Sequence, residues 1–170
     1  IFVANLVVTR QKIYRLCALA RRGSMTVAVD SPGNVRDLSE AASAEGVELD
    51  VVVYVNTGQN GCGVEPGRAV VDLARQVRDA AGLSFAGLMA YDGSPIMEDS
   101  DQLATDSRGR VQQVLDAREM VEKAGIEIRV VSVGGTHNYE IAASMDGVTE
   151  VPAGSYALMD QRYRRYGREF

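Results

Sequence analysis

The stretch "VYVNTGQNGCGVEPG" (Val53–Gly67) begins as a strand and ends where a helix can start. Val53, Tyr54 and Val55 are the β-branched and aromatic types that suit a pleated, half-buried surface. Pro66 is preorganised for a first helical turn, where its missing N–H matters least. Between these two ends, Thr57 to Val64 carries three glycines and no charged side chain. A loop of that make-up lets backbone approach another group closely, and a loop between strand and helix is where binding residues concentrate.

The same unit recurs outward from this stretch. Strand-like runs are "IFVAN" (Ile1–Asn5), "TVAVD" (Thr26–Asp30), "LDVVVYVN" (Leu49–Asn56), "FAGLMAY" (Phe85–Tyr91) and "IEIRVVSV" (Ile126–Val133). A sixth strand is expected at "VTEV" or "SYALM", between Val148 and Met159. Helical periodicity fills the gaps: Ile13, Leu16, Cys17 and Ala20 share one face, and "AVVDLARQV" follows Pro66. Gly23, Gly46, Gly82 and Gly125 each stand where a helix would close before the next strand. Successive βα units predict a parallel α/β sheet, either an open doubly wound sheet or part of a (β/α)8 barrel. Polar or glycine residues follow many strands: Asn5, Asp30-Ser31, Asn56-Thr57-Gly58, Tyr91-Asp92-Gly93 and Gly134-Gly135-Thr136. That spread suits a barrel mouth, and neither GxGxxG after the first strand nor GxxxxGK[ST] is present. The expectation is an α/β fold, a partial TIM barrel in a single incomplete domain over residues 1–170, six strands being two short of closure.

A chain of 170 residues fits one domain with a real core. The net charge of -5 argues against nucleic acid as the main partner, since phosphate backbones need a basic footprint. Arg162, Arg164, Arg165 and Arg168 of "RYRRYGR" read as a solvated end. No apolar run reaches the length of a membrane span, and the start lacks a signal-peptide pattern. With only two cysteines, Cys17 and Cys62, a disulfide framework is not expected and a cytoplasmic setting is. Cys17 falls on the apolar face of its helix and reads as filler.

"SVGGTHNYE" (Ser132–Glu140) places two glycines and a threonine between a strand and a helix start. Free N–H groups there suit an anion such as phosphate, and a tight turn explains the glycines equally well. In "AGSYALMD" (Ala153–Asp160) the hydroxyls of Ser155 and Tyr156 either complete a phosphate cup or cap local backbone. His137 is the single histidine, and a lone loop histidine reads first as exposed or hydrogen-bonded. One histidine and two separated cysteines make no zinc site, "EDSD" (Glu98–Asp101) reads as a solvated loop, and Cys62 has no base beside it in sequence.

"FVANLVV", "VAVDSPGNVRDLSEAA", "VNTGQNGCGVEPG", "FAGLMAYDG", "VSVGGTHNYE" and "TEVPAGSYALMD" stand in one order along nearly the whole chain. In that order they resemble the alanine-racemase-type barrel of the D-threonine aldolase and D-serine dehydratase-like family, which uses pyridoxal 5'-phosphate. The resemblance implies that the chain corresponds to barrel strands three to eight, without the first two strands and the C-terminal β domain. It implies a phosphate cradle at Gly135 and Thr136, closed by Ser155 and Tyr156, with Tyr91 facing cofactor and substrate at the mouth. The catalytic Schiff-base lysine of such proteins ends the first barrel strand, and a histidine with a cysteine or aspartate in the C-terminal domain binds a divalent metal. Neither set falls in this sequence, whose only lysines, Lys12 and Lys123, lie in helical segments. Similar proteins usually carry arginine before "CG" and an acid two residues before the Asn; here Gly61 and Tyr54 stand there.

The implied activity is that of a pyridoxal-phosphate-dependent lyase cleaving a D-3-hydroxy amino acid to glycine and an aldehyde, as in D-threonine aldolase. Alternatives are a dehydratase acting on D-serine or 3-hydroxy-D-aspartate, and a catalytically impaired cofactor-binding homologue, to which Gly61 and Tyr54 point. The implied partner is a small D-amino acid, with no nucleic acid or membrane, and the family reading admits a homodimer. The isolated chain is expected to be inactive.

Overall fold

The computed structural model of the chain describes residues 1–91 and 100–158. Asp92-Gly93, Glu98 and Asp99 of "EDSD", and the C-terminal arginines lie outside the described residues.

Five strands alternate with helices: β1 (Phe2–Leu6), α1 (Arg10–Ala20), β2 (Thr26–Val29), α2 (Pro32–Glu45), β3 (Leu49–Tyr54), α3 (Arg68–Asp79), β4 (Leu83–Ala90), α4 (Ser100–Lys123), β5 (Val130–Val133) and α5 (Tyr139–Ala143). A short 3-10 turn follows at Ser155–Ala157. The sheet order is β1-β2-β3-β4-β5 and every described pair is parallel. Sequential order without reversal is barrel winding, because a doubly wound sheet changes direction at a switch point. The result is a curled half-barrel.

Alternation along the strands separates two faces. Val27, Val29, Val51, Val53, Leu88, Val131 and Val133 point outward into the main core with Ile13, Leu16, Cys17, Leu38, Val70, Val77, Val114 and Val121 of the helices. Each such fully buried side chain contributes about 1.5–3 kcal/mol. The opposite face, Ala28, Val52, Tyr54, Ala86 and Met89 with Phe2, Ala4 and Leu6 against them, contains no residue of a described helix. The described helices therefore cover the outer face, as barrel geometry requires.

Sequence boundaries move by a few residues. Gly46 closes α2 in the left-handed region at φ 62°, and Gly82 and Gly125 also adopt positive φ, at 74° and 77°. Gly23 does not close α1, which ends at Ala20 with Arg21 as its cap. Helix α3 starts at Arg68 with Gly67 as N-cap, two residues past Pro66. The sixth strand expected between Val148 and Met159 shrinks to one parallel bridge, Ser132 to Glu150. Pro152 follows two residues later; with no N–H it cannot extend a ladder, and the chain passes into the 3-10 turn.

Strand β4 carries a bulge: Val51 pairs with Phe85 and Val52 with Gly87. At Gly87 a Cβ atom would lie 1.9 Å from the Val130 carbonyl oxygen, so only glycine lets β4 and β5 pair there. Gly87→Ala is expected to cost about 3 kcal/mol or to prevent folding, measured by urea unfolding.

Candidate functional site

The loop from Asn56 to Glu65 has only a single bridge to satisfy its backbone, so side chains do much of the rest. Val55 bridges to Val64, with the Asn56 N–H donating to the Val64 carbonyl at 2.8 Å. Gly63 takes φ 98°, and a Cβ there would lie 2.7 Å from the Asn56 nitrogen, so the crossing needs glycine. The Gly63 N–H donates to Asp30 Oδ2 at the end of β2, at 3.1 Å. From α4, Arg110 Nη1 donates to the Thr57 carbonyl at 2.9 Å, and the Thr57 hydroxyl donates to the Tyr91 carbonyl at 3.4 Å. The loop is thereby tied to β2, α4 and the end of β4.

This loop and the ends of β1, β3 and β4 enclose a hollow of ≈ 680 Å³ on the inner face. Its wall includes Asn5, Tyr54, Gly61, Cys62, Met89 and Tyr91, with Pro152 at the far rim. Around Gly61 there is open space, with no atom within 4 Å of where a Cβ would stand. Tyr54 is 7% exposed. Burial, with the Cys62 thiol hydrogen-bonded beside it, pushes the Tyr54 phenol well above its usual range, so it stays neutral.

A second set of loops adjoins. Gly135 donates its N–H to Asn138 Oδ1 at 2.9 Å, and Asn138 Nδ2 donates to Ser107 Oγ of α4 at 3.2 Å, both in the interior. The Tyr156 N–H donates to Thr136 Oγ1 at 3.2 Å, closing the "GSY" segment onto "GGT". A cavity of ≈ 250 Å³ lies at this seam, lined by Thr136, Tyr139, Ala153 and Tyr156. The Tyr91 ring links the two regions, since a Cβ on Gly135 would stand 3.2 Å from Tyr91 Cε2. His137 is 2% exposed and meets Tyr91 edge-on, ring centroids 6.3 Å apart at 66°.

The structure thus brings Tyr91, Gly135, Thr136, Ser155 and Tyr156 to the end of the sheet that holds the strand C-termini. Helix α5, at five residues, is too short to lend much dipole to an anion, so hydroxyls and backbone N–H groups must carry that task. Lys12 lies exposed on α1, and Lys123 pairs with Glu119 at 2.9 Å on α4; neither reaches the hollow. Sequence reasoning passed over Asn56 as an organiser and Cys62 as a wall residue. The alternation in "LDVVVYVN" does point Tyr54 inward with Val52, and that was the available signal.

Replacing Tyr54 by Phe removes one buried hydroxyl and is expected to cost about 1 kcal/mol at neutral pH. Because the folded phenol holds its proton above the ordinary value of 10.0, the wild type loses stability as pH rises past that value. Tyr54→Phe lacks that loss, so the gap between the two should narrow in alkaline urea titrations.

Residues 5–161 match the family model described as alanine racemase, N-terminal domain. The chain is 36% identical to a D-threonine aldolase of an Arthrobacter species over 96% of its length and 43% of the relative's. It is also 36% identical to the 3-hydroxy-D-aspartate aldolase of Paracoccus denitrificans (strain Pd 1222), over 97% of this chain and 43% of that one. The crystal structure of D-threonine aldolase from Filomicrobium marinum superposes with a TM-score of 0.93 at 38% identity, over 96% of this chain and 45% of the other. The chain spans less than half the length of these relatives. With the one-sided parallel half-barrel and its mouth loops as the structural counterpart, the chain belongs to the alanine racemase N-terminal domain family.

Proposed function

We propose that this chain is the cofactor-binding part of a pyridoxal-phosphate-dependent lyase that cleaves a D-3-hydroxy amino acid to glycine and an aldehyde. The observation that carries the reading is the meeting of "GGT" and "GSY" through the Tyr156–Thr136 hydrogen bond, beside a hollow walled by Tyr91. The residues present fit the cofactor. Gly154 has nothing within 4 Å of where a Cβ would stand, Ser155 and Tyr156 are exposed at the seam, and the hollow alongside is roomy enough for a ring. Thr136, Ser155 and Tyr156 would hold the phosphate with hydroxyls and the backbone N–H groups of Thr136 and Ser155, while Gly135, lacking a side chain, lets the turn approach it closely. When bound, the cofactor supplies the electron sink for breaking a bond at the amino carbon.

This chain's own residues bind and orient. The Tyr91 ring edge lies against Gly135, where a Cβ would stand 3.2 Å from its Cε2, and would bound the phosphate side of the hollow. Tyr54 offers a neutral phenol in that wall, and Cys62 lines it alongside. The divalent metal of this reading is assigned, through the resemblance, to ligands in the full-length polypeptide. A homodimer and a cytoplasmic setting belong to the same proposal; no described helix is long and apolar enough to cross a membrane.

The full-length polypeptide, assayed with D-threonine and D-serine with and without divalent metal, is expected to release glycine and acetaldehyde from D-threonine. Pyruvate and ammonia from D-serine would favour the dehydratase, and tight cofactor binding without turnover would favour an impaired homologue. Thr136→Val in that polypeptide should weaken cofactor binding by roughly tenfold or more, read from the absorbance of bound cofactor, as expected for one hydrogen bond to a charged group.

The 170-residue chain alone, mixed with cofactor and reduced with borohydride, is expected to yield no stoichiometric pyridoxyl lysine, since Lys12 and Lys123 lie exposed on α1 and α4 and neither lines the hollow. Adduct on Lys12 or Lys123 accompanied by turnover of D-threonine would overturn the placement of the covalent lysine outside this chain.

A further inference from the structure

Asn56 stands at the exit of β3, 9% exposed, and both ends of its carboxamide are engaged. Its Oδ1 accepts from the N–H groups of Gly58 and Asn60, each at 3.1 Å. Its Nδ2 donates to Asn60 Oδ1 at 3.0 Å and to Glu65 Oε1 at 2.9 Å. Two backbone donors mark one end of the amide as oxygen and a carboxylate marks the other as nitrogen, so the flipped amide is excluded. Through these bonds Asn56 grips both sides of the turn that delivers Gly61 and Cys62 to the hollow. Asn60, held at φ 57°, is the left-handed residue that reverses the chain, and asparagine tolerates that conformation.

We propose that Asn56 is the positioning residue of the mouth loop, and that position 56 requires an amide because Glu65 can only accept. The inference rests on reading this mouth as the cofactor side of the fold. Aspartate at 56 would still accept from the Gly58 and Asn60 backbone. Asn60 would turn its own amide to donate. Glu65 has no donor to offer, and two carboxylates would face each other at hydrogen-bond distance. The strand-proximal bonds would survive while the Glu65 side of the turn is driven off, moving Cys62 with it. Exchanging the partners, aspartate at 56 with glutamine at 65, rebuilds the bond with donor and acceptor reversed.

Alkylation by iodoacetamide reads the position of Cys62 directly, with fully buried Cys17 as the internal reference. No cofactor is added, so failure here leaves the cofactor proposal standing, and failure of cofactor binding leaves this one standing. Asn56→Asp is expected to label Cys62 roughly tenfold faster than wild type near pH 8, the equivalent of one hydrogen bond to a charged group. The double variant Asn56→Asp, Glu65→Gln should label at the wild-type rate. Glu65→Gln alone should also match wild type, because glutamine can present its carbonyl. An Asn56→Asp chain that fails to fold while the double variant folds would support the same pairing. Wild-type labelling of Asn56→Asp would overturn the proposal. So would an excess that persists in the double variant, or failure of the double variant to fold.

Discussion

Every described strand of this sheet pairs parallel with the strand that follows it in sequence, and much of the remaining structure follows from that pairing. A parallel neighbour can be reached only by a crossover, and a crossover helix must lie on a face of the sheet. Here the described ones lie on one face, so the sheet is packed by valines and leucines against helices outside, and a second apolar set that includes Val52, Tyr54 and Met89 lines its inner face. The same pairing brings the C-termini of the described strands to one end, where their loops meet. The mouth is a consequence of winding, not of any one motif.

Loops at such a mouth cannot borrow hydrogen bonds from the ladder, and buried backbone without partners is costly. The chain meets this with buried polar side chains that have few alternatives: Asn56 and Thr57 in one loop, Asn138 in the other. Asn138 joins the "GGT" turn to α4 through Ser107, and Arg110 of the same helix holds the Thr57 carbonyl. Helix α4 therefore anchors both loops although it lies on the outer face. Packing on the outside and geometry at the mouth are coupled through that helix.

The wall between these loops presents hydrogen bonds in place of formal charge. Gly61 leaves open space, and Tyr54 retains its proton because burial penalises the phenolate.

The amino-acid sequence by itself determined the alternation of strands and helices, the parallel sheet, the barrel type of winding and the family. Those properties depend on local periodicity, on glycines and prolines at element ends, and on motif order, all of which are written in neighbouring residues. Tyr91, Gly135, Thr136, Ser155 and Tyr156 were proposed through the resemblance, because short motifs carry them. Tertiary structure alone decided that the sixth strand shrinks to a bridge, that α1 closes before Gly23, and that Gly87 answers to the Val130 carbonyl. It alone decided that Asn56 meets Glu65 across the turn and that His137 is buried against Tyr91. Contacts of this kind join residues separated by a loop or by a whole βα unit. They are set by the curl of the sheet and the path of the loops, and no pattern of adjacent residues encodes them.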